Sequence, residues 1–567
     1  MSRTRILSLM VSTAVVVSGL TGVVATANAD PPSEAEGISE SADNSKITFY
    51  YGLDRKDGKA KQALKKVSDP KSSSYRQFWS VSKLKKKFGP KSGALKGLKK
   101  SAKPAGLKVN LDSSGVFARV TGTVQKMEAW IQGPIVSSTS GGYTVWRAEG
   151  SGLAPGLGKF VADPVAIYQA QTGVASTRAQ PSKNKGTWIG GCDDAKKTGA
   201  YSFNQLNKAY GRLSKSNNKK IGRKTRLAIL SAGDGFSDEH LAVSATCFNK
   251  KGRTFNRVAT DGMVDPLPSI AGEGDLDTQT AQGVLPKGSK VDYIELPYVN
   301  LTSASLWFLL YAKIMDLDPV PDVATMSYGY CEPKFVQNIG KVPLKIMDSL
   351  LVRLGLVGTS TMASSGDSGS SGCQQFYGTA ELSVALPSSS PFTTAVGGSR
   401  IVLNADNTRK REVVWNDSVG AGGGGKSTIF PKPWYQSKTG TKKRAVPDLS
   451  AMAATYPGYP LYTALGDNPE GWTQIGGTSA ASPFLASHVA IMNARETRAR
   501  RPPLGFLNPA WYAMSKSTRY DIRKGNNGKY NNKCCQAKKG FDLASGLGAP
   551  NLRSMYQAFP YEVKASK

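Results

Sequence analysis

Histidine is almost absent from this chain, whose 567 residues include only two, His240 and His488. A serine nucleophile needs a base to take its proton, and that base is most often a histidine. The scarcity of histidine therefore leaves few candidates for such a base. If the chain contains a catalytic serine, either one of these two residues activates it or another residue type does.

Cysteine is also scarce, and its spacing excludes two kinds of site. No C-x-x-C pair occurs, which argues against a zinc site and against a redox-active pair of thiols. In an exported chain, six cysteines predict up to three disulfides. Because a vicinal disulfide is strained, we expect the adjacent Cys534 and Cys535 to bond to other partners. The six residues are Cys192, Cys247, Cys331, Cys373, Cys534 and Cys535.

A long hydrophobic run occurs only near the N-terminus. Arg3 and Arg5 precede the apolar residues 6–24, and the letters ANA at 27–29 have the small-x-small pattern of a cleavage site. We interpret residues 1–29 as a secretory signal peptide rather than a membrane anchor, although the run is nearly long enough to span a bilayer. No later segment is apolar enough to do so. The mature chain is therefore expected to be secreted, extracellular and without a membrane partner.

Acidic residues are outnumbered by basic ones. The chain has 74 Lys and Arg against 41 Asp and Glu, a net charge of +33. Such an excess raises the question of a nucleic-acid partner. No RNA- or DNA-binding motif accompanies it, and a lysine-rich stretch such as residues 83–100 is typical of a solvated helix surface. We therefore expect no nucleic-acid partner.

The first part of the mature chain predicts a small α+β domain over residues 46–168. Residues 30–45, which precede it, are acidic and serine-rich and predict a loose leader. Residues 169–186, which follow it, are polar and lack periodicity, which indicates an exposed linker and a processing site. Within the domain the patterns predict strands at 46–53, 107–112, 117–122 and 143–148 and helices at 59–68, 81–88, 92–101 and 123–131.

The remaining residues, 187–567, predict an α/β domain. Short runs of apolar, β-rich residues alternate with helical segments along this part of the chain. Continuous apolar strands between helices indicate a parallel sheet with helices on both faces. In such sheets the active site lies at the carboxyl ends of the strands. The runs are residues 226–230, 291–299, 322–329, 357–366 and 392–403.

One motif in this domain resembles a phosphate-binding loop. The stretch GAGGGGKS, residues 420–427, matches G-x-x-x-x-G-K-S letter for letter. Such a loop must open a helix, whose N-terminus binds the phosphate. Here Pro431 and Pro433 follow and prevent a regular helix. We interpret the glycines as a flexible surface loop that binds no nucleotide.

A second motif resembles the serine neighbourhood of chymotrypsin-like proteases. The stretch is GDSGSSG, residues 366–372. That arrangement requires an upstream histidine in a mainly β fold, and the context of His240, FSDEHLA, does not match. We therefore assign no nucleophile here, although the segment can still contribute to a site.

The stretch GGTSAASPFLASHVA, residues 476–490, places Ser479 ahead of an apolar helical run. GTSAASP before a helix resembles the nucleophile turn of subtilisins, whose base comes from an H-G-T segment that this chain lacks. His488 follows Ser479 by nine residues, about 13 Å along a helix axis, and cannot be its base. We expect His488 to be a surface or packed residue.

A pair of carboxylates could supply the base. Glu273 and Asp277 lie four residues apart in GEGDLDTQTAQ, so that both project from one face of a predicted helix, whereas Asp275 points elsewhere. Two carboxylates held close together repel each other, which raises the pKa of one of them. Viewed alone, this spacing is also typical of a solvated acidic face.

Four separated motifs occur in an order that closely resembles the sedolisins, the serine-carboxyl peptidases. They are Glu273 with Asp277, SSGDSG with Asp367, SPFTTAVGGS at 390–399, and GGTSAASP with Ser479. Segments of the first domain, VSDPKSSSYRQFWS, FGP and ARVTGTVQKMEAWI, resemble the sedolisin propeptide in matching order. PDVATMSYG and GGGGKSTIFPKPWYQ also fit, the latter as part of the rim of the substrate cleft. The resemblance implies a propeptide and a subtilisin-like fold with a Ser-Glu-Asp triad.

The resemblance also implies a role for each residue. Ser479 is the nucleophile and forms an acyl-enzyme. Glu273 is the general base and acid, and Asp277 orients it. Asp367 donates a hydrogen bond to the oxyanion, which requires it to be protonated. Because a neutral carboxylic acid is favoured at low pH, an acidic pH optimum is expected.

The family also carries a calcium site near its C-terminus. The stretches YDIRKGNNGKY (520–530) and KKGFDLASGLGAPN (538–551) correspond to it. Oxygen-only ligation suits one structural calcium ion. Lys538 stands where the family usually has glycine. The implied ligands are the carboxylates of Asp521 and Asp542 and the backbone carbonyls of Ile522, Lys538 and Gly540.

These inferences together describe an exported, monomeric zymogen. A propeptide (46–168) would chaperone and inhibit a catalytic domain (187–567) that acts on proteins or peptides, as an endopeptidase or a tripeptidyl-peptidase. Cleavage in the linker would release the enzyme. Cys373 is expected to pair with Cys534 or Cys535, which would tie the oxyanion region to the calcium region.

Three alternatives stay open at this point. The chain could be a histidine-dependent subtilisin-like hydrolase, or a catalytically inactive binding protein on the same fold. The intact set of four catalytic positions argues against the inactive protein. A basic protein that binds an anionic surface is a more distant alternative.

Overall fold

The computed structural model describes ten stretches of the chain. The predicted signal peptide lies outside them, as do residues 30–44 of the predicted leader and 169–185 of the predicted linker. Within them, none of the helices has the length and hydropathy required to cross a membrane. The stretches are 45–140, 143–148, 152–155, 157, 186–213, 218–261, 266–296, 301–465, 468–530 and 534–559.

The N-terminal unit has the predicted mixture of strands and helices. Its three-stranded antiparallel sheet has the order β1-β3-β2, and β4 and β5 form a separate antiparallel pair. The strands are β1 (Lys46–Gly52), β2 (Lys108–Leu111), β3 (Phe117–Thr123), β4 (Ile135–Ser140) and β5 (Tyr143–Ala148). The helices are α1 (Asp57–Ser68), α2 (Val81–Phe88), α3 (Ser92–Ala102) and α4 (Val124–Ile131).

A sheet of eight strands forms the centre of the second unit, in the order β14-β13-β11-β9-β6-β8-β7, with β17 paired to β13. All pairings are parallel except that of β13 with β14. The strands of this unit are β6 (Arg226–Ala232), β7 (Thr254–Ala259), β8 (Lys290–Leu296), β9 (Val323–Met326), β10 (Tyr330–Cys331), β11 (Ser360–Ser364), β12 (Ala385–Leu386), β13 (Thr394–Leu403), β14 (Arg409–Val414), β15 (Gly425–Pro431), β16 (Lys443–Val446), β17 (Leu449–Met452), β18 (Tyr459–Leu465), β19 (Asn468–Ile475), β20 (Arg519–Tyr520) and β21 (Ala549–Pro550).

Helices cover both faces of this sheet. They are α5 (Asp193–Lys197), α6 (Phe203–Ala209), α7 (Lys219–Gly222), α8 (Asp238–Cys247), α9 (Glu273–Val284), α10 (Phe308–Ile314), α11 (Glu332–Lys334), α12 (Lys341–Val357), α13 (Gln374–Tyr377), α14 (Thr478–Arg498), α15 (Asn508–Ala513) and α16 (Leu552–Gln557). Short 3-10 segments are Leu301–Leu306, Trp434–Gln436 and Lys516–Thr518, and Phe335–Ile339 forms a π-helical turn.

The two faces bury separate apolar clusters. Phe484 and Leu485 of α14 pack on one face together with Leu276 of α9, whereas Leu310 of α10 and Leu350 of α12 pack on the other. Both α9 and α14 are buried along most of their length, because they run between the sheet and other elements. The prediction of a parallel sheet with helices on both faces is confirmed.

Contacts with α12 join the N-terminal unit to the second unit. The Asp57 carboxylate at the start of α1 accepts a hydrogen bond from Ser349 Oγ at 2.7 Å. The guanidinium of Arg353, fully buried in α12, lies 3.4 Å from Asp57 and donates to the carbonyl oxygen of Phe88 at 2.6 Å. Hydrogen bonds and an ion pair therefore join the two units at this contact, although Arg353 Nε has no hydrogen-bond partner among the described residues.

The predictions for three cysteines were wrong. Cys373 is bonded to Cys331, with 4.6 Å between their Cα atoms, and not to Cys534 or Cys535. The reason is that β10 pairs with β12, which brings Cys331 next to the start of α13. Cys192 pairs with Cys247, so Cys534 and Cys535 have only each other and are bonded together.

Candidate active site

Ser479 is the second residue of α14, the helix that the sequence predicted after it. Gly477 precedes the helix with φ +114°, a conformation that favours glycine. A Cβ atom there would also lie 2.8 Å from Asp367 Oδ2. Glycine at 477 therefore lets the nucleophile turn approach the Asp367 carboxyl.

Glu273 and Asp277 lie on the first two turns of α9, which packs against α14. Ser327, at the carboxyl end of β9, links them to the serine segment. Its Oγ lies 2.8 Å from Asp277 Oδ1 and 3.2 Å from the carbonyl oxygen of Ser479. Glu273 Oε1 and Asp277 Oδ2 are buried and have no hydrogen-bond partner among the described residues. The two carboxyls thus lie next to Ser479 with unused hydrogen-bonding capacity.

Burial raises the pKa of both carboxyls. For Glu273 the contact with Ser479 acts in the opposite direction, and the charge of Asp367 raises the pKa further. For Asp277 the charge of Glu273 adds to the effect of burial and the pKa rises well above its ordinary value. No described Lys, Arg or His forms a salt bridge with either group. The pair therefore keeps at least one proton at pH values well above those at which carboxyls usually ionise.

Asp367 follows β11, at the same end of the sheet as Ser327. Its Oδ1 accepts hydrogen bonds from the backbone N–H of Thr478 at 2.8 Å and from Thr478 Oγ1 at 2.7 Å. Burial raises the pKa of Asp367, although these two hydrogen bonds lower it in part. Because Oδ1 is occupied by donors, a proton on this carboxyl would be carried by Oδ2, on the side of Gly477.

The glycine run at 420–425 is buried, so the prediction of a flexible surface loop was wrong. It packs against the backbone around Asp367. Gly423 N donates to the carbonyl oxygen of Gly366 at 2.7 Å, and Ala421 N donates to that of Asp367 at 2.9 Å. A Cβ atom at Gly423 would lie 2.0 Å from the carbonyl oxygen of Ser365. These residues are small because two backbone segments touch here.

A cleft opens beside Ser479 and Asp367. Ser479 and Asp367 lie on its wall, and small residues such as Gly329 and Ala385 leave space next to them. Phe376 of α13 adds an aromatic side chain, and the Cys331–Cys373 disulfide holds that helix. The cleft can therefore admit a side chain of a bound molecule next to the serine.

Neither histidine contacts Ser479. His240 Nδ1 lies 2.6 Å from Asp275 Oδ2, and its Nε2 lies 3.3 Å from Glu470. Asp275 is directed away from Glu273 and Asp277, as the sequence predicted. His488 is completely buried against Phe484, and neither ring nitrogen has a hydrogen-bond partner in the described part of the chain.

One residue of this region was missed by the sequence reasoning. Asp234 follows β6 and is 2% exposed. Its carboxylate accepts hydrogen bonds from Ile270 N at 2.7 Å, Ala271 N at 3.2 Å and Gly274 N at 3.1 Å. Asp234 thus fixes the backbone on both sides of Glu273. The one feature of the sequence that pointed to Asp234 was its position, as an acidic residue just after an apolar strand.

The predicted calcium ligands lie close together in the C-terminal loops. Gly540 N donates to Asp521 Oδ1 at 3.1 Å, and Lys538 N donates to Asp542 Oδ2 at 3.0 Å. The carbonyl oxygens of Ile522, Lys538 and Gly540 accept no hydrogen bond from any described residue. Within the described ranges, no group of three or more His, Cys, Asp or Glu side chains could hold a metal. Any cation here would depend on backbone oxygens.

Comparisons with known proteins agree with this geometry. Residues 35–147 match the family model described as "Pro-kumamolisin, activation domain". Kumamolisin of Bacillus sp. (strain MN-32) is 30% identical over 340 residues, which cover 57% of this chain and 58% of kumamolisin. Tripeptidyl-peptidase 1 of Homo sapiens is 28% identical over 267 residues, or 44% of each chain. The chain thus matches about half the length of these relatives.

A solved structure is also similar. Pseudomonas sedolisin, a serine-carboxyl proteinase complexed with two molecules of pseudo-iodotyrostatin, superimposes with a TM-score of 0.55 at 25% sequence identity. The match covers 63% of this chain and 97% of that structure. The likeness therefore extends over nearly the whole of that proteinase.

The raised pKa of Glu273 predicts a pH-dependent effect on stability. A carboxyl whose pKa is raised in the folded state destabilises the fold above the unfolded pKa and has no effect well below it. Glu273→Gln should therefore increase the free energy of unfolding at pH 7 by on the order of 2 kcal/mol and change it little at pH 3.5. Urea unfolding at both pH values measures this difference. Glu381→Gln, at an exposed glutamate, is the matched control and should have no such pH-dependent effect; equal stability of Glu273→Gln and wild type at pH 7 would refute the prediction.

Proposed function

The chain belongs to the sedolisin family of serine-carboxyl peptidases, and we propose that it is a secreted zymogen of an acid-acting peptidase. The observation that carries the proposal is the grouping of Ser479 with three carboxyls of raised pKa, those of the buried Asp277 and of the half-buried Glu273 and Asp367. Its substrates would be proteins or peptides, because the reaction of such a site is the transfer of an acyl group to water.

In the proposed reaction, Ser479 Oγ attacks the carbonyl carbon of the scissile peptide bond, and its proton passes to the Glu273 carboxylate. Asp277 keeps its proton when Glu273 ionises, since its pKa is raised further by the charge of Glu273. Asp277 can then donate to Glu273 and hold it in place. Glu273 returns the proton to the leaving amine. A water molecule then attacks the acyl-enzyme with Glu273 again as the base. The acyl group leaves as a carboxylic acid, and Ser479 regains its proton.

Asp367 would stabilise the oxyanion that forms during the attack. Thr478 donates two hydrogen bonds to Oδ1, so the acidic proton of Asp367 would be on Oδ2 and available to the substrate oxygen. This donor exists only while Asp367 is neutral. The raised pKa of Asp367 keeps the carboxyl neutral up to a higher pH than usual, but above that pKa the donor is still lost. Activity should therefore be restricted to acidic solution.

The N-terminal unit would act as an intramolecular inhibitor and chaperone until it is removed. Its sequence matches an activation domain, and its contacts with α12 through Asp57 and Arg353 attach it to the catalytic unit. Cleavage in the linker at residues 169–186 would separate the two. We propose 46–168 and 187–567 as the bounds of the two domains.

Acid incubation tests the nucleophile and the zymogen together. At pH 4, wild type should convert itself to a shorter form, whereas Ser479→Ala should not. Glu273→Gln should slow conversion by at least about 10³-fold because the base is lost. His488→Gln and His240→Gln should retain conversion within a few-fold. Gel analysis of the time course measures all five proteins, and N-terminal sequencing of the product locates the cut.

Two outcomes of this experiment would reject the proposal. Conversion of Ser479→Ala at the wild-type rate would exclude processing by this serine. Loss of conversion in a folded histidine variant, with Glu273→Gln still active, would instead support a histidine-dependent hydrolase.

We also propose that the C-terminal loops bind one structural calcium ion. The carboxylates of Asp521 and Asp542 and the carbonyl oxygens of Ile522, Lys538 and Gly540 form a donor set of oxygens alone, which suits this ion. Burial raises the pKa of Asp542, and a bound cation would offset that cost. Arg523, whose Nε lies 2.7 Å from Asp521 Oδ2, would have to move aside or share the carboxylate. The ion would hold two loops together.

Removal of calcium should lower the stability of the full chain. We expect the chelator EGTA to lower the Tm of inactive Ser479→Ala at pH 6 by about 5 °C, because a ligand that binds only the folded state stabilises it. Asp542→Asn should show no further decrease with EGTA. Asp193→Asn, at an exposed aspartate, should respond like the parent. Thermal unfolding with and without EGTA measures this, and an unchanged Tm of the parent would exclude the ion.

A further inference from the structure

Asp275 lies on α9 between Glu273 and Asp277, but the proposed reaction does not use it. It is the third residue of the helix and is completely buried. Among the described basic residues, only His240 lies within ion-pairing distance of its carboxyl. A buried carboxylate destabilises the fold unless hydrogen bonds satisfy it. The partners of Asp275 therefore show what it does in the structure.

Four donors surround the Asp275 carboxylate. Its Oδ1 accepts a hydrogen bond from Ser237 N at 2.8 Å, and its Oδ2 lies 2.6 Å from His240 Nδ1. Oδ2 also accepts from Ser269 Oγ at 2.9 Å and from Thr463 Oγ1 at 2.8 Å. These donors belong to the start of α8, the segment before α9, and β18. One carboxylate thus joins α9 to three other parts of the chain.

His240 is held between two acidic residues. Its Nδ1 faces Asp275, and its Nε2 lies 3.3 Å from Oε1 of the exposed Glu470. The ring packs edge-on against Tyr462, with 5.7 Å between the ring centroids. A histidine in acidic solution is protonated and donates from both ring nitrogens, which matches these two acceptors. His240 is therefore suited to be a donor to Asp275 rather than an acceptor.

The contact with Thr463 joins α9 to the hairpin that leads into the nucleophile. Thr463 is in β18, which pairs with β19, and Ser479 follows the end of β19 by four positions. Gln279, one turn beyond Asp275 on α9, adds two contacts with the same strand. Its Nε2 donates to the carbonyl oxygen of Tyr462 at 2.7 Å, and its Oε1 accepts from Tyr462 N at 3.0 Å. The helix of the proposed base is thus attached to the hairpin that precedes the serine.

We propose that Asp275 is a positioning residue, which fixes the helix of Glu273 and Asp277 relative to the hairpin that leads to Ser479. The inference rests on the proposed peptidase function, because it concerns the alignment of the base with the nucleophile. Asp275 forms no hydrogen bond with any of these three residues, so it acts through the position of α9. A displacement of about 1 Å between reacting groups can lower a rate by on the order of 10²-fold.

Self-conversion of the full chain at pH 4 tests this inference. Asp275→Asn should convert about 10²-fold more slowly than wild type. The new amide has one donor side, and either orientation places its NH2 group against an N–H, that of Ser237 or that of protonated His240. Asp406→Asn is the matched control, at an exposed aspartate that accepts hydrogen bonds from Thr408. It should convert at the wild-type rate.

A second substitution distinguishes a positioning role from a general loss of stability. His240→Asn places an amide near the Nδ1 position, which can donate to the Asp275 carboxylate and should keep conversion within a few-fold of wild type. In Asp275→Asn/His240→Asn one amide can donate to the other, so conversion should recover to within about fivefold of His240→Asn alone. If the two changes only lowered stability, their effects would add, and the double variant would be slower than Asp275→Asn.

Thr463→Val provides a second variant in case Asp275→Asn does not fold. It removes one donor to Asp275, keeps the branched shape of the side chain, and should slow conversion by about tenfold. A wild-type rate in either folded variant would overturn the inference, as would a double variant slower than Asp275→Asn. In both cases wild type still converts itself, so the proposed function stands. Failure of wild type to convert would overturn the proposed function and this inference together.

Discussion

Three carboxyl groups that have no basic partner among the described residues determine how this site can work. Glu273, Asp277 and Asp367 lie around Ser479, and burial is the largest cause of the raised pKa in each. Water would solvate these groups as anions, and a nearby lysine or arginine would hold them ionised at neutral pH. Because burial limits their solvation and no such cation lies beside them in the described part of the chain, protons stay bound, and a protonated carboxyl can orient a base or donate to an oxyanion.

The fold maintains this arrangement from several directions. Ser327 and Asp367 follow adjacent strands of the parallel sheet, whereas Glu273 and Ser479 begin the helices α9 and α14. Asp234 holds the backbone around Glu273 through three N–H groups. Acidic groups near the start of a helix and basic groups near its end suit the helix dipole. Glu273 is the first residue of α9 and Asp277 the fifth, so both lie near its start.

Sequence patterns predicted the parts of this structure that depend on local spacing. The four-residue interval between Glu273 and Asp277 predicted a shared helix face, and the apolar runs predicted the parallel sheet. Pairing of distant segments could not be predicted in the same way. Cys373 bonds to Cys331 because two short strands meet, and the glycines at 420–425 are buried because two backbones touch.

The pH dependence of acylation in the mature enzyme tests the central claim most directly. Stopped-flow measurements with a quenched-fluorescent peptide would compare wild type with Asp367→Asn, whose amide can donate at any pH. In wild type the rate should fall by about tenfold per pH unit above the pKa of Asp367. Asp367→Asn should be slower at acidic pH, by on the order of 10²-fold, but should lack that fall. A wild-type rate that keeps rising to pH 8, or the same alkaline fall in both proteins, would contradict the account.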